Sequence, residues 1–348
     1  MTRLRIAEHP EGTRLRNGLA RLCTLALALA LLAVPLAGEA QQAGKMYRIA
    51  YGTFPTPPPP TSFAGLEAFR QVLRDLGWIE GKTLAIEMRT AESEKTLPEV
   101  FAQVVREQFD LIVTTNTPAA LAAQAATRTI PIVAAVSCDP VEANVVGSLA
   151  HPGGNLTGLT LITSEVAGKR IEFLKEIIPQ LSRVAALYNP DSRTFPVTVA
   201  WVTQSETAAR ALGIELQRAE VIGVDRYDAA FAALKKAGVG AMTVTEGPRY
   251  MLQAPQIAAA AVKHGLATVF PFREQVEAGG LMSYGANMIE MWQRAAHFAD
   301  RILRGAKPGD LPLEQPTKFE LVINLRTATA LKLTIPPTLR VRADQIIE

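Results

Sequence analysis

The chain has 348 residues, 48% of them apolar and 20% charged, with a formal net charge of +3. That composition excludes a disordered polymer and leaves room for two domains of ordinary size. Residues 1–40 hold five arginines and three glutamates, a contribution of +2, so the remainder stands near +1 and gives no support to a nucleic-acid partner.

The N-terminus reads as an export signal. Arg3, Arg5, Arg14, Arg16 and Arg21 form a positive head, Leu22–Leu36 an apolar run of fifteen residues, and Gly38-Glu39-Ala40 a small-residue cleavage site. The run is shorter than the roughly 20 residues that span a bilayer, and Pro35 closes it. A mature protein beginning at Gln41, released and soluble in the periplasm, is expected. Cys23 follows Arg21-Leu22 rather than small residues, so no lipid anchor is expected. Only Cys138 stays in the mature chain, which excludes an internal disulfide.

From Tyr47 onward, short β-rich runs alternate with longer helical ones. Tyr47–Tyr51 reads as a strand, followed by a loop over Gly52–Thr61 with four consecutive prolines. Ser62 to Leu76 reads as a helix with Ser62 as cap and Gly77 as stop. Strands follow at Leu84–Met88, Leu111–Val113 and Ile130–Val136, with helices at Glu99–Glu107 and from Thr117-Pro118, a cap followed by proline. His151–Gly158 reads as a turn leading into a crossover, since it lacks the GK[ST] of a phosphate loop. The alternation then restarts. Helices are expected at Glu165–Ile178, Pro196–Leu212, Tyr227–Lys236 and Ala254–His264; strands at Arg183–Tyr188, Glu215–Arg218, Ala241–Thr245 and Thr268–Phe270. Strand Leu281–Tyr284, helix Met288–Arg304, strand Lys318–Asn324 and a short helical tail close the chain. The pattern predicts an α/β fold of two similar lobes, each a parallel sheet with helices on both faces. Lobe 1 is expected over residues 46–160 plus 283–306, and lobe 2 over 161–282 plus 307–348.

Catalytic and metal motifs are scarce. His151, His264 and His297 have no metal-ligand spacing, and no G-x-S-x-G, Walker or HExxH pattern occurs. No cofactor is expected, and a non-enzymatic role is favoured. What the pattern offers instead is polar residues at strand carboxyl ends, where open parallel sheets bind ligands. These are Thr53 and Phe54; Thr114, Thr115 and Asn116; Ser137 and Asp139; and, in the second lobe, Tyr188 and Asn189, Thr245 and Glu246, and Phe272. Hydroxyls and a helix N-terminus suit an anion, Asp139 or Glu246 an ammonium, and the rings an apolar body. Several have plainer uses as well: Thr117 and Asp139 as helix caps, Asn189 in a turn, Glu246 in a solvated loop, Phe54 as a cover for the lobe edge.

Three segments carry a family resemblance: Gly77-Trp78-Ile79-Glu80-Gly81, Ala134–Pro140 continuing into His151–Gly158, and Gln315-Pro316-Thr317-Lys318-Phe319-Glu320-Leu321-Val322-Ile323-Asn324. From about Tyr47 to the C-terminus the chain resembles the ABC transporter substrate-binding proteins of the tryptophan-binding type. The resemblance implies the type I periplasmic binding protein fold, with three crossovers and a small-molecule ligand closed between the lobes. It implies as partners a permease and its ATPase in the inner membrane, and a monomer is the default for a diffusing binder. The proline-rich loop departs from the family and leaves the ligand open among amino acids, aromatic acids and nucleoside-like compounds. Two other readings stand beside this one: a ligand-sensing module for a membrane receptor, and an exported hydrolase using Cys138 or a serine.

Overall fold

Alternate residues of single strands feed the two faces of the first sheet. Strand β1 (Tyr47–Thr53) sends Ile49 and Tyr51 to one apolar cluster and Ala50 to another. Likewise β3 (Leu111–Thr114) divides Leu111 and Val113 from Ile112, and β4 (Ile132–Ala134) divides Val133 from Ile132 and Ala134. A strand covered on both faces has to be apolar at every position, which is why these runs are continuous in the sequence. With β2 (Leu84–Thr90) and β5 (Leu156–Gly158) they form a parallel sheet in the order β2-β1-β3-β4-β5. This computed structural model describes residues 45–56, 60–141, 143, 146–191 and 195–348. The export signal expected over 1–40, Cys23 within it, and residues 57–59 of the proline loop lie outside them.

Strand β5 was not expected. His151–Gly158 contains the turn, with Gly153 and Gly154 at positive φ, but its last three residues pair with β4. Asn155 anchors the turn by donating to the carbonyls of Thr127 (3.1 Å) and Ile130 (2.8 Å). Gly158 has φ +133°, and a Cβ there would lie 2.1 Å from the Ala134 carbonyl oxygen, so only glycine lets β5 close up on β4. Three residues are too few for a strand period to show.

The second sheet has the order β12-β11-β10-β9-β8-β6-β7, formed by β6 (Arg183–Tyr188), β7 (Glu215–Glu220), β8 (Ala241–Val244), β9 (Ala267–Phe270), β10 (Met282–Ala286), β11 (Phe319–Asn324) and β12 (Gln345–Ile347). Strands β6 to β10 run parallel; β11 lies antiparallel to β10 and carries β12. Both lobes are α/β, with parallel strands at the centre of each sheet.

The chain crosses between lobes three times: at Leu159–Ile162, at Asn287 and at Gln315–Lys318. The second crossing corrects the expected lobe boundary. Residues 283–286 are not in lobe 1 but in β10 of the second sheet, where Met282 joins the apolar cluster of that lobe. Only the following helix, Met288–Leu303, returns, burying Met291, Trp292, Ala295 and Ala299 under the first sheet against the helix Pro60–Asp75. Leu311–Glu314 also stay with the first lobe, since the Thr157 hydroxyl donates to Leu311 O (2.8 Å) and Leu313 N to Leu149 O (2.8 Å).

The crossings are tied to one another. Glu314 N donates to Gly158 O and Thr160 N to Glu314 O, both at 2.9 Å, and Arg294 grips the Glu314 carboxylate through Nε and Nη2. The Gly77–Gly81 segment is a helix stop with a docking function. Gly77 (φ +93°) lets Gly77 N and Trp78 N turn back to Arg74 O and Leu73 O, and the Trp78 indole then donates to Asp300 of the returning helix (2.8 Å). Two expected caps shift. The first helix begins at Pro60 rather than Ser62, and Asn116, not Thr117, caps Thr117–Ala126 by accepting from Ala119 N (3.0 Å). Asn116 has the extended backbone that a cap needs, which places proline at the second helical position.

One half-buried acid sets a pH dependence. Desolvation pushes the Glu274 carboxyl, in the short helix Arg273–Glu277, up to about 7. The folded protein then keeps a proton that the unfolded chain loses near pH 4.5, so the contribution of Glu274 to stability is full below that pH and is lost as pH rises through 7. The expected loss is about 3 kcal/mol. Urea midpoints measured from pH 4.5 to 8 should show this slope, and Glu274→Gln should flatten it; an unchanged slope would remove Glu274 as its source.

Candidate functional site

The strand order reverses between β1 and β3 in the first sheet and between β6 and β8 in the second. At such switch points adjacent loops leave in opposite directions and open a crevice at the strand carboxyl ends. Here the two crevices face each other. A cavity between them is lined by Phe54 and Glu94 from the first lobe and by Asn189, Thr198, Thr245, Glu246, Gly247, Pro248, Arg249 and Tyr250 from the second. Its open volume is about 330 Å³, mouth included. Throughout that space only about 20 Å³ is open to the centre of a water-sized guest, so the lobes stand closed and a larger guest requires them to part. The closure is visible in the packing as well. Phe272 of the second lobe is buried as a member of the same apolar cluster as Tyr51, Val136 and Met291 of the first.

A second, smaller cavity lies deeper and shares Glu246 with the first. Its walls are Leu161, Ile162, Val166, Arg170, Glu246, Phe272, Gly285, Ala286 and Phe319. Leu161 and Ile162 belong to the first crossing, Ala286 borders the second and Phe319 follows the third, so this cavity sits on the hinge. Across it, Arg170 Nη2 meets Glu246 Oε1 at 2.7 Å, with the two side chains only 1% and 4% exposed. Arg170 Nε donates to Tyr284 O (2.8 Å). Arg170 Nη1 and Glu246 Oε2 are buried with no hydrogen-bond partner. Gly285 makes the space: a Cβ there would come 2.0 Å from Pro271 O and 3.5 Å from Arg170 Nη2.

The structure distributes the expected site residues unevenly. Phe54, Asn189, Thr245 and Glu246 meet at the outer cavity, and Glu246 and Phe272 at the inner one. Asn189 also accepts from Asp191 N (3.0 Å), so turn and cavity wall coexist in one residue. Thr53, Thr115 and Asn116 form a buried chain behind the wall: Asn116 Nδ2 donates to Thr115 Oγ1 (2.9 Å), which donates to Thr53 Oγ1 (2.7 Å). Thr114 is fully buried in β3, and its hydroxyl finds no partner. The Ser137 hydroxyl donates to Cys138 O (2.9 Å), while Asp139 accepts from Val141 N (2.9 Å) in a local turn; neither lines either cavity. Tyr188 points its hydroxyl at Glu220 on the edge strand β7, where burial and that carboxylate push it up to about 12. Cys138 is half-buried, and its backbone N donates to Thr117 Oγ1 (2.7 Å).

Sequence reasoning missed Glu94, Thr198, Arg249, Tyr250 and Arg170. Arg249 and Tyr250 lie in a one-turn helix (Pro248–Leu252) directly after Glu246-Gly247, too short to register as periodic. Arg170 left a clear trace. In the helix Thr163–Ile177 the buried stripe runs through Val166, Ala167, Ile171, Leu174 and Ile177, and Arg170 falls on it. A charge on an apolar stripe implies a buried partner.

Among the described residues, no group of three or more His, Cys, Asp or Glu side chains could hold a metal ion, and no helix is long and apolar enough to cross a membrane. The chain is similar to the "Tyrosine-binding protein" of Clostridioides difficile (strain R20291), with 26% identity over 271 residues, 77% of this chain and 76% of the relative. Among solved structures it is similar to a conserved domain protein from Vibrio cholerae O1 biovar El Tor, at 27% identity and TM-score 0.80, covering 87% of this chain and 100% of the other. An ABC domain in complex with L-Trp from Streptococcus pneumoniae superposes with TM-score 0.79 at 23% identity and the same coverage, and so shares the fold. The sequence profile described as ABC transporter substrate binding protein matches residues 60–347. With two hinged α/β lobes closed on a crevice and that match across most of its length, the chain belongs to the ABC transporter substrate binding protein family.

Proposed function

We propose that this substrate-binding protein captures an amino acid with an aromatic side chain and presents it, chemically unchanged, to its permease. The observation that carries the reading is the outer cavity, where one aromatic ring from each lobe, Phe54 and Tyr250, lines the same space beside Arg249, Glu94, Thr245 and Asn189. Rings on opposite walls can cover both faces of a planar side chain once the lobes open to admit it and close again. The charged and amide groups border the same space. The names of the tyrosine-binding relative and of the L-Trp complex support the same ligand class. Capture takes place in the periplasm, on a protein freed of residues 1–40, and as a single chain: each lobe supplies its own wall, and the site needs no second copy.

Thermal unfolding with and without each of the twenty amino acids, sugars and nucleosides tests the reading. A ligand at 100 times its dissociation constant adds about 2.7 kcal/mol, an easily measured rise in melting temperature. Tryptophan, tyrosine or phenylalanine should produce it. A shift with sugars or nucleosides and none with aromatic amino acids would sink the proposal.

A further inference from the structure

We infer that the buried Arg170–Glu246 pair at the hinge is the head-group receptor for the ligand, and that it selects a zwitterion carrying both a free ammonium and a free carboxylate. The inference rests on the reading of the cleft as an amino-acid site and goes on to say how the amino acid is recognised. Three observations lead to it. The two side chains are almost wholly removed from solvent, yet each keeps one polar atom, Arg170 Nη1 and Glu246 Oε2, without a partner. Leaving such atoms unpaired in a low-dielectric interior is costly, so a buried pair of this kind is completed by something that binds. Both side chains line the inner cavity, and Glu246 also faces the outer one, which puts the pair within reach of a guest held between Phe54 and Tyr250.

Charge then narrows the guest. The pair is neutral as a unit, so an amine alone would satisfy Glu246 and leave the guanidinium donor unpaired beside a new positive charge. A carboxylic acid alone would do the reverse. An α-amino acid offers its ammonium to Oε2 and its carboxylate to Nη1 at once and keeps the buried site neutral, with charge-assisted hydrogen bonds on both sides. Position adds a mechanical consequence. The inner cavity is walled by residues in or beside all three crossings, and Arg170 Nε donates to Tyr284 O in the middle of β10, the strand that leads into the second. The inner cavity as it stands has room for about one water molecule, so a head group enters only when the lobes part and is gripped by the pair as they close again. Asp139, the other candidate for an ammonium, is engaged in its local turn and lines neither cavity.

The test is isothermal titration of the purified protein with L-tryptophan and L-tyrosine, and with the matched analogues lacking one charge. These are indole-3-propionic and 3-(4-hydroxyphenyl)propionic acids without the ammonium, and tryptamine and tyramine without the carboxylate. The amino acid that binds should do so at least about 100-fold more tightly than either of its analogues. Glu246→Gln, of nearly the same shape, should cut the advantage over the deaminated acid to less than about 10-fold, with that acid binding more tightly than before because no carboxylate opposes it. Arg170→Lys, which keeps the charge and loses the fork, should weaken the amino acid about 10-fold. Analogues within threefold of the parent amino acid, or an unchanged affinity in Glu246→Gln, would overturn the inference and leave the aromatic-cleft reading intact. If none of tryptophan, tyrosine and phenylalanine shifts the melting of wild-type protein, the cleft reading falls and the head-group assignment with it. Because the analogue series is run on the wild type, the result does not depend on either variant folding.

Discussion

Gly158→Ala should cost about 3 kcal/mol of stability and also lower the affinity of the molecules that fold. Two penalties combine at this position. A φ of +133° is a backbone region that residues with a Cβ rarely adopt, and the added Cβ would stand 2.1 Å from the Ala134 carbonyl oxygen, deep inside contact distance. The obstacle is backbone, so no rotamer change relieves it; β5 must move away from β4. That movement reaches the hinge, because Gly158 O accepts from Glu314 N, where the first and third crossings are tied together. Gly154→Ala is the control. It also sits at positive φ (+64°), but nothing lies within 4 Å of its Cβ position, so only the conformational cost of about 1 kcal/mol should appear. Urea unfolding of both variants, with titration of the bound amino acid, separates the two costs. Equal losses at the two positions would show that the close contact is relieved by a small shift.

Arg170→Met should destabilise the protein by about 3 kcal/mol, and adding Glu246→Leu should recover most of that loss. The single variant leaves the Glu246 carboxylate, 4% exposed and paired to Arg170 at 2.7 Å, in an apolar cavity with no counter-charge. Removing both partners replaces the pair by methylenes of similar bulk among Leu161, Val166, Phe272 and Phe319, which already form the walls. The double variant should therefore melt close to wild type and yet bind no amino acid. Stability and binding come apart in this cycle because an ion pair that desolvates two charges contributes little net stability; its use lies in the guest that completes it. If the double variant retained wild-type affinity, the pair would be a structural bridge only.

The sequence alone determined the two-lobed α/β layering and the end of the sheets at which the cavity between the lobes opens. Continuous apolar runs separated by capped helices leave a doubly covered parallel sheet as the arrangement able to bury them, and the strand-end loops holding Phe54, Asn189, Thr245 and Glu246 follow from the alternation. Strands Arg183–Tyr188 and helix Tyr227–Lys236 fall where the pattern puts them, since each is long and cleanly bounded. Elements of three to five residues, β5 and the helices Pro248–Leu252 and Arg273–Glu277, are shorter than the periods by which elements are recognised. The tertiary structure decided what strand ends cannot. It directs the Thr53, Thr115 and Asn116 side chains into one another behind the cavity wall and gives Tyr188 to Glu220. It also makes β10 a member of the second sheet, because strand pairing depends on which edge is open when the chain arrives, and that edge is created by residues far away in sequence. Above all it joins Arg170 to Glu246 across 76 positions of sequence. A charge on an apolar helix stripe announces that a buried partner exists; only the packing of that helix under the sheet determines which residue it is.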